Sequence, residues 1–157
     1  MKEIPLTQGQ VALVDDEDFE RVNQYKWHAL LDPNTGKYYA KRRDGNKNTF
    51  IIMHRFIMST PQGLVCDHIN GNTLDNRKCN LRNCHKVENN WNRGAQKNNS
   101  LGLKNITYRK DINKYRVIIG KNGKTVFDAH FKSLQDAINA RNCASKMYHG
   151  EYSNTGE

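Results

Sequence analysis

Apolar positions along this chain cluster in short runs of two kinds, alternating and helical, with a long polar stretch in the middle. Residues 10–14, Gln-Val-Ala-Leu-Val, predict a short strand. The acidic run Asp15-Asp16-Glu17-Asp18 that follows predicts the cap and first turn of a helix through Asn23, because carboxylates there meet unpaired N–H groups and the positive end of the helix dipole. Residues 25–30 alternate as a strand. The turn chemistry of Asp32-Pro33-Asn34-Thr35-Gly36 leads into a second strand at 38–42, and Asp44-Gly45-Asn46 into a third at 49–56. The C-terminal part repeats the theme with strands at 104–109, 114–119 and 125–131. Asn122-Gly123 between the last two is a two-residue hairpin signal, since both positions tolerate positive φ. Ser133 with Asp136 three residues on resembles a capping box. Leu134, Ala137, Ile138, Ala144, Met147 and Tyr148 then recur mostly at helical spacing, and Gly150 closes the helix.

Residues 54–93 are rich in His, Asn, Asp and Arg and poor in apolar side chains, so packing alone does not justify their composition. Residues 94–100 have the polar, glycine-punctuated makeup of a linker. Charge follows the same division. The 157 residues carry a formal net charge of +9; residues 1–53 hold 8 basic and 8 acidic side chains, so all of the excess lies beyond them. Such a surface suits a polyanion, with steep salt dependence. No apolar run approaches the roughly 20 residues of a membrane helix, and no secretory signal follows Met1, so the expected setting is intracellular, with the DNA and without membrane. Cys66, Cys79, Cys84 and Cys143 form no C-x-x-C pair and read as reduced thiols; a zinc cluster from Cys79, Cys84 and His85 lacks a second ligand pair.

The string Cys66-Asp67-His68-Ile69-Asn70-Gly71-Asn72, then Asp75-Asn76-Arg77, Asn80-Leu81-Arg82 and Glu88-Asn89-Asn90-Trp91, resembles the HNH nuclease family, and more closely its His-Asn-Asn branch in phage and intron homing endonucleases. The resemblance covers roughly 54–93. It implies a ββα-metal core: strands at 64–68 and 81–85, a turn-rich loop at 69–80 and a helix at 87–93. It further implies Asp67 and Asn89 as metal ligands, His68 as general base and Asn80 as the residue that pins the loop. A carboxylate and an amide carbonyl are hard oxygen donors that suit one divalent ion, Mg²⁺ or alternatively Mn²⁺. A neutral imidazole can take a proton from water at cellular pH. Asp75, Asn76, Arg77 and Arg82 read as loop fasteners or phosphate contacts, and His85 as surface. His54 and Arg55 could approach the phosphate from the preceding strand, although a strand-end His and Arg more often face solvent; Arg55 and Arg93 are further candidates for DNA contact.

Residues 101–152 resemble the DNA-binding domain of plant ethylene-response factors. The likeness rests on Tyr108-Arg109-Lys110, Lys114-Tyr115-Arg116-Val117, Gly123-Lys124, Phe131, Ala137, Ala140, Ala144 and His149-Gly150-Glu151-Tyr152. It implies a sheet lying in the major groove, with Arg109, Arg116 and Lys114 toward bases or phosphates and Lys104, Lys110, Lys121 and Lys124 mainly on the backbone. Asn105-Ile106 replaces a common Gly-Val, and the usual glycine before Phe131 is missing. The expected class is thus α+β: a strand-rich N-terminal module (1–53), an HNH core (54–93), a linker (94–100) and a three-stranded antiparallel sheet packed on one helix (101–152). The expected function is a metal-dependent homing-type endonuclease on double-stranded DNA, as a monomer or a dimer, with no protein partner implied. The alternative is a non-catalytic DNA-binding regulator on the same scaffold.

Overall fold

The computed structural model describes residues 1–45, 49–96 and 98–155; Asn46 of the expected turn and Lys97 of the expected linker lie outside them. Among the described residues the chain is α+β, with small antiparallel sheets and four α-helices. It divides into two compact units, Met1–Lys86 and the residues from Val87 onward.

In the first unit β1 (Lys2–Pro5) pairs antiparallel with β2 (Val11–Val14), Lys2 opposite Val14 and Pro5 opposite Val11. Only Ile4 of β1 is buried, so the strand has too little alternation to announce itself in sequence. Helix α1 (Asp16–Asn23) carries Asp16, Glu17 and Asp18 in its first turn. Asp15 holds the cap position, but its carboxylate accepts the Lys78 N–H at 2.7 Å instead of closing the helix. Trp27 is buried against this helix and donates its indole N–H to the Val22 carbonyl at 2.9 Å. Strands β3 (His28–Leu31), β4 (Tyr38–Arg43) and β5 (Phe50–Ile52) form a meander in that order.

The strand expected to run to residue 56 ends at Ile52, and the chain turns into α2 (Met53–Ile57). Met53, His54 and Ile57 are all buried. Positions i, i+1 and i+4 share one helical face, whereas a strand would have turned His54 away from Met53. Strands β6 (Val65–His68) and β7 (Leu81–Cys84) then form a two-stranded antiparallel ribbon. One core joins Ile4, Val14, Val22 and Trp27 to Met53, Ile57, Cys66 and Leu81. Residues 1–53 therefore share their hydrophobic interior with 54–86.

The second unit takes in nearly all of α3 (Lys86–Asn92), which the sequence reading had grouped with 54–93. The Trp91 ring stacks on His149 with centroids 4.5 Å apart and planes at 9°. The last carbonyls of the helix are satisfied from the C-terminal part: Lys104 Nζ donates to Trp91 O, and Asn154 Nδ2 to Asn92 O at 2.7 Å. Lys104, expected on the DNA backbone, is instead spent on this helix end, and burial, with Arg141 nearby, lowers its ammonium pKa to about 8.

Strands β8 (Ile106–Arg109), β9 (Lys114–Lys121) and β10 (Lys124–Phe131) form an antiparallel sheet with β9 in the centre. Asn122 and Gly123 take φ of 52° and 74°, as a primed hairpin turn requires. Asn105 takes φ 64°, so it supplies the left-handed geometry that a glycine would. Helix α4 (Leu134–His149) starts at Ser133, whose hydroxyl accepts the Asp136 N–H at 3.4 Å. Ile106, Val117, Ile119, Ala137 and Ala144 form the core. Met147, expected on the apolar face, is exposed, while Arg141 and Ser145 are buried. The inner stripe runs 134, 137, 138, 141, 144, 145, 148, and position 147 falls outside it.

Candidate active site and nucleic-acid interface

The β6–β7 ribbon sets Asp67 opposite Arg82 and His68 opposite Leu81. Strand alternation sends Asp67 and His68 to opposite faces. The loop between the strands is tied by its own polar side chains. Asn80 Oδ1 accepts the Asn70 N–H at 2.9 Å, and Asn80 Nδ2 donates to the Asp75 carbonyl at 2.8 Å, so one amide spans the loop. Asn70 Oδ1 accepts from Asn72 N at 2.8 Å, and Asn72 Oδ1 from Leu74 N at 3.2 Å. Leu13 of β2 exchanges backbone bonds with the loop, to Leu74 O and from Asn76 N, both at 2.8 Å.

His68 is buried, with Nε2 3.3 Å from Asn76 Oδ1. Asn76, 1% exposed, spends its amide N–H on the Leu74 carbonyl at 3.2 Å, which turns the amide oxygen toward the imidazole. That orientation assigns the ring proton to Nε2 and makes Nδ1 the unprotonated nitrogen. Burial lowers the His68 pKa; the Asn76 hydrogen bond and the Asp67 and Asp75 charges pull the other way without prevailing. A neutral imidazole is the form a general base needs.

His54 corrects the sequence reading. It is 7% exposed on α2 and sits edge-on to His68, with centroids 4.8 Å apart and planes at 70°. Tyr39 of β4 lies 6.0 Å from His54 and 6.3 Å from His68. Burial, then the neighbouring His68 and Arg55, push the His54 pKa down to about 3. Two neutral imidazoles thus pack together, one on a helix and one on a strand.

Asp67 is buried and takes Arg82 Nη2 at 3.0 Å and Nε at 3.2 Å on the same oxygen, Oδ2. Asn89 is half-buried on α3, in the second unit. A carboxylate and an amide are the hard-oxygen donors that Mg²⁺ accepts, together with water and phosphate. Among the described residues no three His, Cys, Asp or Glu side chains gather as a ligand set, and all four cysteines are free thiols.

The candidate nucleic-acid residues fall in several places. Arg77 gives Nε and Nη2 to the Asp75 carboxylate, each at 2.7 Å, and so fastens the loop. Arg55 is half-exposed on α2, and Arg93 is exposed one residue beyond α3. Lys110 and Lys124 are exposed at strand ends. Arg109 and Lys114 stand opposite each other, as do Thr107 and Arg116, on the sheet face away from buried Ile106 and Val117. The sequence reading missed the orienting contact of Asn76 and the burial of His54. Asn76 was in view within Asp75-Asn76-Arg77, but an amide's partner is a property of the folded loop.

No protein-family model matches the chain, and no solved structure matches it. Among the described residues no helix is long and apolar enough to cross a membrane. Protein 3.8 of Escherichia phage T7 is 38% identical over 64 residues, which is 41% of this chain and 53% of that protein. The match thus spans about half the length of the phage protein. An uncharacterized HNH endonuclease of Acanthamoeba polyphaga mimivirus is 27% identical over 151 residues, covering 92% of this chain and 73% of the viral protein.

Proposed function

We propose that this protein is a metal-dependent DNA endonuclease of the HNH, homing type. The observation that carries the reading is the buried neutral imidazole of His68, beside Asp67 and oriented by Asn76. The name of the viral relative and the +9 charge support a nuclease acting on DNA.

In this reading His68 Nδ1 takes the proton from the water that attacks the phosphodiester in line, leaving 5′-phosphate and 3′-hydroxyl ends. Asp67 and Asn89 are the residues that would hold one divalent ion, Mg²⁺ or Mn²⁺. When bound, such an ion stabilises charge on the phosphoryl oxygens and the leaving oxygen. Asn76 holds the imidazole in the required tautomer, and Asn80 keeps the loop closed around it. Arg82 holds the Asp67 carboxylate through a charge-assisted pair. Residues 101–152 bind the DNA target through the sheet face that carries Arg109, Lys114 and Arg116, with Arg55, Arg93, Lys110 and Lys124 on the backbone.

The test is cleavage of DNA from the protein's own genetic source, with Mg²⁺ or EDTA, by wild type and His68→Ala, with all new ends mapped and binding followed in parallel. Discrete Mg²⁺-dependent ends that vanish in His68→Ala while binding persists are expected. Tight binding with no ends in either Mg²⁺ or Mn²⁺ would instead make the chain a DNA-binding regulator.

A further inference from the structure

Two arginines on the exposed sheet face are held in one way. Arg109 gives Nε–H to Asp111 Oδ1 at 2.9 Å and Nη2–H to Oδ2 at 2.6 Å. Arg116 gives Nε–H to Asp128 Oδ1 at 2.9 Å and Nη2–H to Oδ2 at 2.5 Å. Each carboxylate therefore grips the side of a guanidinium and takes two of its five N–H groups. The end-on pair, one N–H from each terminal nitrogen, is left to point along the side chain. That pair has the spacing that engages O6 and N7 of guanine.

Strand register puts both arginines on one surface. Thr107, Arg116 and His130 stand in a row across the three strands, with Arg109 opposite Lys114 beside them, and the core residues Ile106 and Val117 on the other face. On a face that only gripped phosphates, Asp111 and Asp128 would each cancel a positive charge and weaken binding. Their placement makes sense if the gain is direction. A side-on carboxylate removes much of the rotamer freedom an exposed arginine otherwise loses on binding, and it fixes where the fork points. Both carboxylates are ionised near neutral pH, because the arginine hydrogen bonds hold them below the usual carboxylate range.

We infer that Asp111 and Asp128 are positioning residues that aim Arg109 and Arg116 at guanine edges in the major groove of double-stranded DNA. The inference rests on the DNA-binding part of the proposed function and adds to it the two carboxylates that aim its arginines.

The experiment is selection of duplexes from a pool with a randomised core, by the full chain in EDTA at physiological salt, for wild type, Asp111→Asn and Asp128→Asn. Wild type is expected to enrich a motif with two guanines at fixed spacing. Each variant should lose about tenfold or more of the preference at one of them. Binding to an arbitrary duplex should hold or rise, because a negative charge has been removed. A carboxylate with only a structural role would change affinity for all sequences together and leave base preference alone. Unchanged guanine preference in both variants, or a wild-type motif without guanine, overturns the inference and leaves DNA binding standing. A wild-type chain that retains no duplex overturns both.

Discussion

His54 offers a direct measure of how tightly the imidazole pair is buried. Its pKa falls from 6.5 to about 3, chiefly through burial. Below pH 6.5 the unfolded chain binds a proton at this residue that the native protein refuses until the pH nears 3. The unfolded state then carries more protons, so native stability falls as pH drops through that window. Each pH unit inside it costs up to about 1.4 kcal/mol, and between about pH 7.5 and 4.5 the His54 contribution comes to about 2.5 kcal/mol. The assay is urea unfolding in EDTA at both pH values, for wild type and for His54→Phe, which keeps a ring but cannot titrate. Repacking around Phe shifts the variant equally at both pH values, and His68 and the carboxylates remain in both proteins, so only the difference of differences matters. Wild type should lose about 2.5 kcal/mol more than His54→Phe on acidification. Parallel losses, within about 0.5 kcal/mol, would show that the pair is hydrated and the burial argument wrong.

Three further outcomes follow from single contacts. Asn76→Leu removes the acceptor from His68 Nε2 and should lower DNA cleavage by about 10- to 100-fold. DNA affinity in a mobility-shift assay should stay the same. Arg82→Met takes both guanidinium hydrogen bonds from the buried Asp67 carboxylate and should cost about 3–5 kcal/mol in EDTA. Added Mg²⁺ should return part of that in calorimetry, whereas an unchanged melting temperature in EDTA would rule out a buried pair. Gly123→Ala forces a Cβ onto φ 74° and should destabilise the chain by about 1–2 kcal/mol in thermal unfolding, with no effect expected at Gly45, whose φ is not positive.

Much of the C-terminal fold was legible because its signals are local. Asn122-Gly123, Ser133 with Asp136, and Gly150 each act within a few residues, and the strands and helix they bound appear where expected. The errors lie where a decision depends on distant partners. Residues 49–56 read as one strand, yet burial of His54 together with Met53 against the first-unit core requires a helix from residue 53. Met147 counts toward the apolar face in the helical spacing of the sequence, but its angular position on α4 faces solvent while Arg141 turns inward. The partners of α3 were equally out of reach, because the Trp91–His149 stack and the Lys104 and Asn154 bonds to its terminal carbonyls join residues more than ten positions apart.

The loop at 69–80 shows why its unusual composition was nevertheless the most informative stretch of the chain. An apolar loop of this length would have needed a core of its own; here amides and carboxylates replace it. Asn70, Asn72 and Asn80 each hold backbone N–H groups, Asp75 is clamped by Arg77, and Leu13 adds two backbone bonds from the neighbouring strand. Each such bond contributes only about 1 kcal/mol net, but a buried polar group left unpaired costs about 1–3 kcal/mol, so the set stands or falls together. That is a demanding way to order a loop, and apolar packing would do it more cheaply. What it secures is a rigid amide, Asn76, at a fixed distance from one imidazole nitrogen. The asparagines therefore act as one set that orders the loop and, through it, fixes Asn76 against His68.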